Sequence, residues 1–358
     1  NLVKESSYTF DRAKIPDHQQ KLLAYLLFPI LILFFPIITT RLYSFCKAKR
    51  RPSFKFHRSI HRIIPFLYKP NLHCLFCHFG ENGLFATLFS EIRLIKCNLV
   101  VAFYGYDISQ QLRERPLEDY QAMFRKVDKF IVIAKFQRDV LAALGCPYHK
   151  IHVNYLGINL LAFNQKSRDK ICIKAQTRIL TVARLVEKKG HVFAAYALAK
   201  CKEELGDFKW ILAEDGPLRS ELEKLINQLG LSQNVEFLGD IVRSQIIEQF
   251  SEADIFLLPS ITASNGDREG LPISILEAMA IGVPVISTWH SGIPEAIEDG
   301  VSGLLVPERD TVALGGAIKK MVKDISLRKT VVDNARRKVE QEFDSVNQIR
   351  KLYKVLAE

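Results

Sequence analysis

Several short patterns are missing from this sequence, and each absence removes a class of protein. There is no G-x-G-x-x-G, no G-x-x-x-x-G-K-[ST] and no G-x-S-x-G. Dinucleotide oxidoreductases, P-loop ATPases and α/β hydrolases built on those loops are therefore disfavoured. Asp-x-Asp is also absent, so a metal held between two close aspartates is not indicated. Asp and Glu are missing from residues 18–80, which hold ten Lys and Arg. Elsewhere forty basic residues face thirty-nine acidic ones, so all but one unit of the net charge of +11 belongs to that one segment. No secretory signal stands before the seven cysteines (Cys46, Cys74, Cys77, Cys97, Cys146, Cys172, Cys201), an odd number at scattered spacing. A reduced, cytosolic chain is the expected reading. His73-Cys74-x-x-Cys77-His78 has a metal-like look, but it falls in an apolar run that reads as a strand, and no second pair follows at zinc spacing.

What is present is a chain of 358 residues, 48% hydrophobic and 25% charged. That is too long for one ordinary domain and suits two of middling size with real cores. Residues 22–38, LLAYLLFPILILFFPII, are apolar throughout but short for a span, and Pro29 and Pro36 interrupt them. Arg41, Lys47, Lys49, Arg50, Arg51, Lys55, Arg58 and Arg62 follow at once. Three readings stand: a surface lying on anionic lipid, a buried helix pair, or a true span. No helix–turn–helix, RNP or zinc-finger pattern accompanies the basic run, so nucleic acid is not an expected partner.

From residue 72 short apolar runs alternate with amphipathic stretches. Leu72–Cys77, Leu99–Phe103, Phe130–Ala134 and Ile151–Tyr155 read as strands of a parallel sheet with crossover helices. Residues 157–176 read as a polar linker. A second series follows: Ile179–Ala183, Phe208–Ala213, Val235–Leu238, Ile255–Leu258, Val283–Ser287 and Gly303–Val306. The tail from Ser326 to Ala357 is charged and helical. The expected organisation is a first α/β domain over 1–165 (1–70 divergent, basic and membrane-facing), a second over 166–340, and a helix over 341–358 returning to the first. Parallel sheets bind ligands at the carboxyl ends of their strands, so a site in a cleft between the units is expected.

The most informative stretch is Glu269-Gly-Leu-Pro-Ile-Ser-Ile-Leu-Glu277-Ala-Met-Ala-Ile-Gly282. Gly270 permits close backbone approach. Pro272 suits the first turn of a helix over 272–281, and Gly282 ends it. Free N–H groups at 270–273, around Leu271, would form a phosphate site. Glu269 and Glu277 bracket that anion site, where they could accept hydrogen bonds from sugar hydroxyls on either side of a diphosphate.

With its E-x7-E spacing, the stretch from Pro259 to Pro307 resembles the donor half of the family 4 glycosyltransferases of GT-B fold, the colanic-acid and amylovoran type most of all. FYGYDIS (103–109), VARLVEKKG (182–190), EDGPLR (214–219), SITASNGDREGLP (260–272) and STWHSGIPE (287–295) support it. The resemblance covers residues 72 to about 345. It implies two Rossmann-like domains and a retaining, metal-independent, hexosyl-type transfer from a nucleotide-sugar to a saccharide, lipid-linked in exopolysaccharide or lipopolysaccharide synthesis. No cofactor beyond that donor is implied, and the place of work is the cytoplasmic membrane face. Arg184 and Lys189 resemble the pair that clamps the diphosphate. Glu269 resembles the residue at the donor sugar, Glu277 the one at the ribose, and Gly216 lies in a close-approach turn beside the donor. His78 and Asp107 resemble cleft-facing residues. Two departures matter. Tyr104 stands where most relatives carry histidine, and the family's opening strand and Gly-loop have no counterpart, which implies a relative without its front segment. A catalytically weak donor- or partner-binding homologue, a nucleotide-sugar epimerase and a basic membrane adaptor are the rival readings.

Overall fold

The computed structural model describes residues 33–40, 43, 66, 72–163 and 175–357. The basic run after residue 43, most of the apolar run 22–38 and residues 164–174 of the expected linker lie outside the described residues. Among the described residues no helix is long and apolar enough to cross a membrane.

Ten strands and twelve α-helices carry the fold among the described residues: β1 (Cys74–His78), α1 (Gly80–Glu91), β2 (Asn98–Phe103), α2 (Gln110–Glu114), α3 (Leu117–Lys126), β3 (Lys129–Val132), α4 (Lys135–Ala143), β4 (Ile151–Val153), β5 (Thr177–Val182), α5 (His191–Leu205), β6 (Phe208–Ala213), α6 (Arg219–Gln228), β7 (Val235–Gly239), α7 (Arg243–Glu252), β8 (Ile255–Leu257), α8 (Ile273–Ile281), β9 (Val285–Thr288), α9 (Ile293–Ala296), β10 (Leu304–Val306), α10 (Thr311–Lys323), α11 (Ile325–Glu342) and α12 (Ser345–Ala357). All ten apolar runs singled out in the sequence are strands. They belong to one four-stranded and one six-stranded parallel sheet. By its internal contacts the chain divides into a first unit, up to Ala102 with Glu118–Lys129, and a second, Phe103–Leu117 with the rest from Phe130.

In the first unit β1 pairs parallel with β2 from Cys74↔Asn98 to His78↔Ala102. α1 packs closely on β2 because Gly83 has no side chain: a Cβ there would lie 2.6 Å from Val101 Cγ2 and 2.9 Å from Met123 Sδ. Tyr120, Met123 and Phe124 of α3 are buried.

The second unit holds the six-stranded sheet, in order β10-β9-β8-β5-β6-β7. Side chains alternate between its faces, as a strand period of two requires. Ile179, Trp210, Leu212, Ile255 and Leu257 pack with α5, α6 and α10 on one face. Leu180, Val182, Ile211, Ala213 and Phe256 pack with α7, α8 and α11 on the other. Both faces are thus covered, which explains why the strands read as continuous apolar runs. Thr181 is one buried polar residue among them, satisfied by donating to Leu257 O at 2.6 Å and accepting from Trp210 Nε1 at 3.0 Å. Successive strands run outward from β5 through β6 to β7, then return to β8 on the other side of β5. The chain direction therefore switches between β5 and β8, the kind of place where open α/β sheets hold ligands.

Two expectations need correction. The segment 157–176 does not start as a free linker. Ile158 donates its N–H to Phe343 O at 2.9 Å and accepts from Ser345 N at 3.0 Å. A Cβ on Gly157 would lie 2.4 Å from Ser345 Cα, so this join requires glycine. The helical tail is two helices, broken where Phe343 turns into the core and packs 5.0 Å from the Tyr155 ring.

Candidate active site

The carboxyl ends of β5 and β8 bring most of the second-unit candidates together. Beyond β5 the chain passes Arg184, exposed and without an ion-pair partner among the described residues, and reaches Lys189 at the end of a single 3-10 turn. Gly190 then turns left-handed (φ 71°), and a Cβ there would meet Pro259 O at 1.9 Å. This close approach holds the 184–190 loop against the segment leaving β8.

That segment ends at Glu269 and Gly270, and α8 begins at Ile273 with Pro272 as its N-cap residue. The helix is apolar almost all round and correspondingly buried, and Gly282 (φ 87°) ends it in the left-handed conformation. Among the described residues, the backbone N–H groups of Gly270, Leu271 and Ile273 donate no hydrogen bond. With Pro272 lacking an N–H, these are the orphan donors of a helix start, and the helix dipole adds positive character there. The arrangement can take an anion.

Both carboxylates already hold cations. Glu269 is buried, and its Oε1 lies 2.9 Å from Lys189 Nζ as an ion pair without hydrogen-bond alignment. Burial pushes this carboxyl up, but Lys189 and Lys188 together hold it below the usual carboxylate range. Glu277, on α8 and 3% exposed, accepts from Arg243 Nη1 at 2.5 Å. Burial dominates here and raises its pKa, with Arg243 acting against the rise. Arg243 also sits 4.7 Å above the Phe163 ring. Glu214, after β6, joins the group: burial raises its pKa, Lys189 and Arg184 lower it, and Asp240 and Glu277 raise it.

Gly216 makes its close approach to the chain itself. A Cβ there would lie 2.6 Å from both Leu185 N and Leu185 O, so the glycine lets the 214–218 turn grip the residue beside Arg184. Gly270 likewise has no room: a Cβ would lie 2.0 Å from Tyr104 O. Tyr104 O accepts from Gln137 Nε2 at 2.9 Å, and burial, then Asp107, pushes the Tyr104 phenol up to about 12. Asp107, expected to face a cleft, is fully buried, and its Oδ1 accepts the N–H groups of Tyr104 and Gly105 at 3.0 Å each. It fixes its own loop, because a short carboxylate two or three residues on reaches those donors directly. His78 ends β1 in the first unit, exposed overall and edge-on to Phe76 at 4.8 Å, with its pKa lowered by partial desolvation.

Sequence reasoning missed Lys188, which pairs with Asp267 at 3.0 Å, and Arg243. It also passed over His290 and Glu308, whose Nδ1 and Oε1 are 2.6 Å apart. His290 was in view within STWHSGIPE, but nothing local marks it as a neighbour of Glu269.

Two cations and an open helix start stand at the switch point of a doubly wound α/β sheet, an arrangement with the chemistry to receive an anion. Residues 163–338 match the family described as Glycosyl transferases group 1. The amylovoran biosynthesis glycosyltransferase AmsK of Erwinia amylovora is 39% identical over 280 residues, spanning 78% of this chain and 68% of AmsK. The putative colanic acid biosynthesis glycosyltransferase WcaL of Escherichia coli K12 is 37% identical over 272 residues, spanning 75% of this chain and 66% of WcaL. Among solved structures, Anabaena Alr3699/HepE in complex with UDP and glucose has a TM-score of 0.70 at 21% identity, covering 84% of this chain and 81% of that one. This chain belongs to the group 1 glycosyl transferase family, and its two parallel-sheet units are of the GT-B class. It spans about two thirds of the length of the curated relatives.

Proposed function

We propose that this chain is a retaining glycosyltransferase that moves a sugar from a nucleotide-sugar to a saccharide acceptor, lipid-linked, in exopolysaccharide assembly. The observation that carries the reading is the open N-terminus of α8, flanked by Lys189 and Arg184 and bracketed by Glu269 and Glu277. The relatives' names, amylovoran and colanic acid, support the pathway class. The UDP and glucose held by the Anabaena neighbour support the donor class.

In this reading the donor diphosphate lies on the N–H groups of Gly270, Leu271 and Ile273. Lys189 and Arg184 offset the charge that develops on the leaving nucleoside diphosphate, a role that needs no metal. Glu277 accepts the ribose hydroxyls and Glu269 contacts the sugar. The bond from the anomeric carbon to the phosphate oxygen breaks as the acceptor oxygen bonds on the same face, and the acceptor proton leaves with the diphosphate. The basic segment 18–80 holds the chain on anionic lipid at the cytoplasmic face. Donor binding without turnover is a second reading, favoured by Tyr104, which cannot titrate near neutral pH.

A thermal-shift panel of UDP, GDP and ADP tests the first step. Ligand at a hundred times its Kd stabilises the folded chain by about 2.7 kcal/mol. Absence of a shift with every nucleotide overturns the proposal. Product analysis with UDP- and GDP-sugars then separates a new glycosidic bond, an epimerised donor and no reaction. Salt-sensitive binding to phosphatidylserine vesicles tests the membrane contact.

A further inference from the structure

The His290 ring is 1% exposed and uses both of its nitrogens. Nε2 accepts the backbone N–H of Glu269 at 3.1 Å. Nδ1 lies 2.6 Å from Glu308 Oε1. A neutral ring satisfies both contacts in one tautomer only, with the proton on Nδ1 donated to Glu308. Glu308 Oε2 in turn accepts the N–H of Thr262 at 2.8 Å. Thr262 and Glu269 are the two ends of one loop, so the pair grips that loop at both ends. The neighbouring residue adds a third tie: Gly292 N donates to Gly270 O at 3.1 Å, and a Cβ on Gly292 would lie 2.4 Å from that oxygen. Ser291 and Arg309, each following one member of the pair, are held at positive φ of 49° and 65°. Backbone strain of this kind persists only where surrounding contacts over-determine it.

We propose that His290 and Glu308 are positioning residues that set the height of the Glu269 carboxylate by clamping residues 262–269 at both ends. The proposal rests on the reading of Glu269 as the donor-sugar contact, and the experiment below separates the two. Glu308, Glu269 and Arg268 act directly on the imidazole, with Lys189 and Lys188 behind Glu269 and Arg309 behind Glu308. Burial holds His290 below its usual pKa, against Glu308 and Glu269, which favour its charged form. A proton on Nε2 would set two donors, the ring N–H and the Glu269 N–H, against each other and release that end of the loop.

The test uses His290→Asn, His290→Gln and Glu269→Gln in the full chain. Asn keeps a donor near the Nδ1 position for Glu308 but leaves nothing at Nε2. Gln places an amide oxygen near Nε2, where it can accept from Glu269. Release of UDP or GDP from UDP- and GDP-sugars should fall about tenfold or more in His290→Asn, since small misplacements of a substrate contact are amplified in rate. UDP and GDP affinity should change less than about twofold, because the nucleotide contacts lie elsewhere. His290→Gln should recover most of the rate. Amide hydrogen exchange reads the same clamp without turnover: the Glu269 N–H should lose protection in His290→Asn and keep it in His290→Gln, with the Trp210 amide in the sheet unchanged in both. Wild-type protection of the Glu269 amide in His290→Asn overturns the proposal. If Glu269→Gln releases nucleotide at the wild-type rate, the donor-sugar reading fails instead, and the exchange measurement still decides the clamp.

Discussion

Glu269 and Lys189 form an ion pair of 2.9 Å with only 8% and 15% of their side chains exposed. A pair that buried is stabilised mainly by its partners' mutual compensation, and removing one member leaves an uncompensated charge. The residues read as the diphosphate clamp and the sugar contact are therefore held by each other. Binding a diphosphate would exchange one oxygen partner of Lys189 for another, while Lys188, fixed on Asp267, continues to offset Glu269.

Lys189→Ala should weaken UDP or GDP binding more than uridine or guanosine binding, by about 1.5–3 kcal/mol. Arg184→Ala should show the same selectivity. Only Lys189→Ala should also lower stability to urea, on the order of 3 kcal/mol, because Arg184 is exposed and leaves no buried charge behind. Titration calorimetry and urea unfolding give both numbers. Equal loss for nucleotide and nucleoside would remove the phosphate assignment.

Glu277→Ala should reduce affinity for the nucleotide itself, and Glu269→Ala should spare nucleotide while reducing sugar transfer. Glu277 lies inside α8 beside Arg243, whereas Glu269 precedes the helix. Normal UDP and GDP binding by both variants would show the ribose role of Glu277 to be wrong.

Gly270→Ala and Gly190→Ala should each destabilise by about 1–3 kcal/mol or more, because the added methyl would overlap Tyr104 O and Pro259 O. Gly316→Ala, in α10 with open space around it, should instead stabilise by about 0.5–1 kcal/mol. Thermal unfolding of the three variants checks the sign of each change.

Acid should destabilise the chain before its carboxylates titrate. Burial, with Lys189 adding to it, lowers His191 to about 3, and burial also lowers His290. A histidine depressed in the folded state takes up its proton on unfolding, so stability falls as pH drops below the unfolded value near 6.5. For His191 the loss between pH 6.5 and pH 5 is about 2 kcal/mol. Glu269 and Glu308, both held low, contribute stability above their unfolded pKa and lose it only at lower pH, as they titrate in the folded chain. His191→Asn should flatten the urea-unfolding midpoint between pH 6.5 and 5; an unchanged slope would exclude this source.

Much of the second unit was legible before any coordinates. Its strands are buried on both faces, so each appears as an unbroken apolar run, and α8 is marked by Pro272 and Gly282 at its ends. The break at Phe343 was not legible, because a buried phenylalanine inside a helical pattern looks like one more core position. The hydrogen bonds of Asp107 were hidden for a related reason. Its sequence neighbours show that it follows a strand, but not that its carboxylate turns back onto Tyr104 N and Gly105 N.

The sequence by itself determined the family, the parallel α/β architecture and the E-x7-E frame, since apolar periodicity, Pro/Gly punctuation and motif spacing act over a few to a dozen residues. Only the tertiary structure decided which partner each charge takes. Arg243 and Glu277 are 34 residues apart in sequence, His290 and Glu269 are 21, and Gly270 and Tyr104 are 166. Ion pairs and hydrogen bonds form only at about 3 Å, so such pairings depend on how the loops at the strand ends are folded together, and no local pattern carries that information.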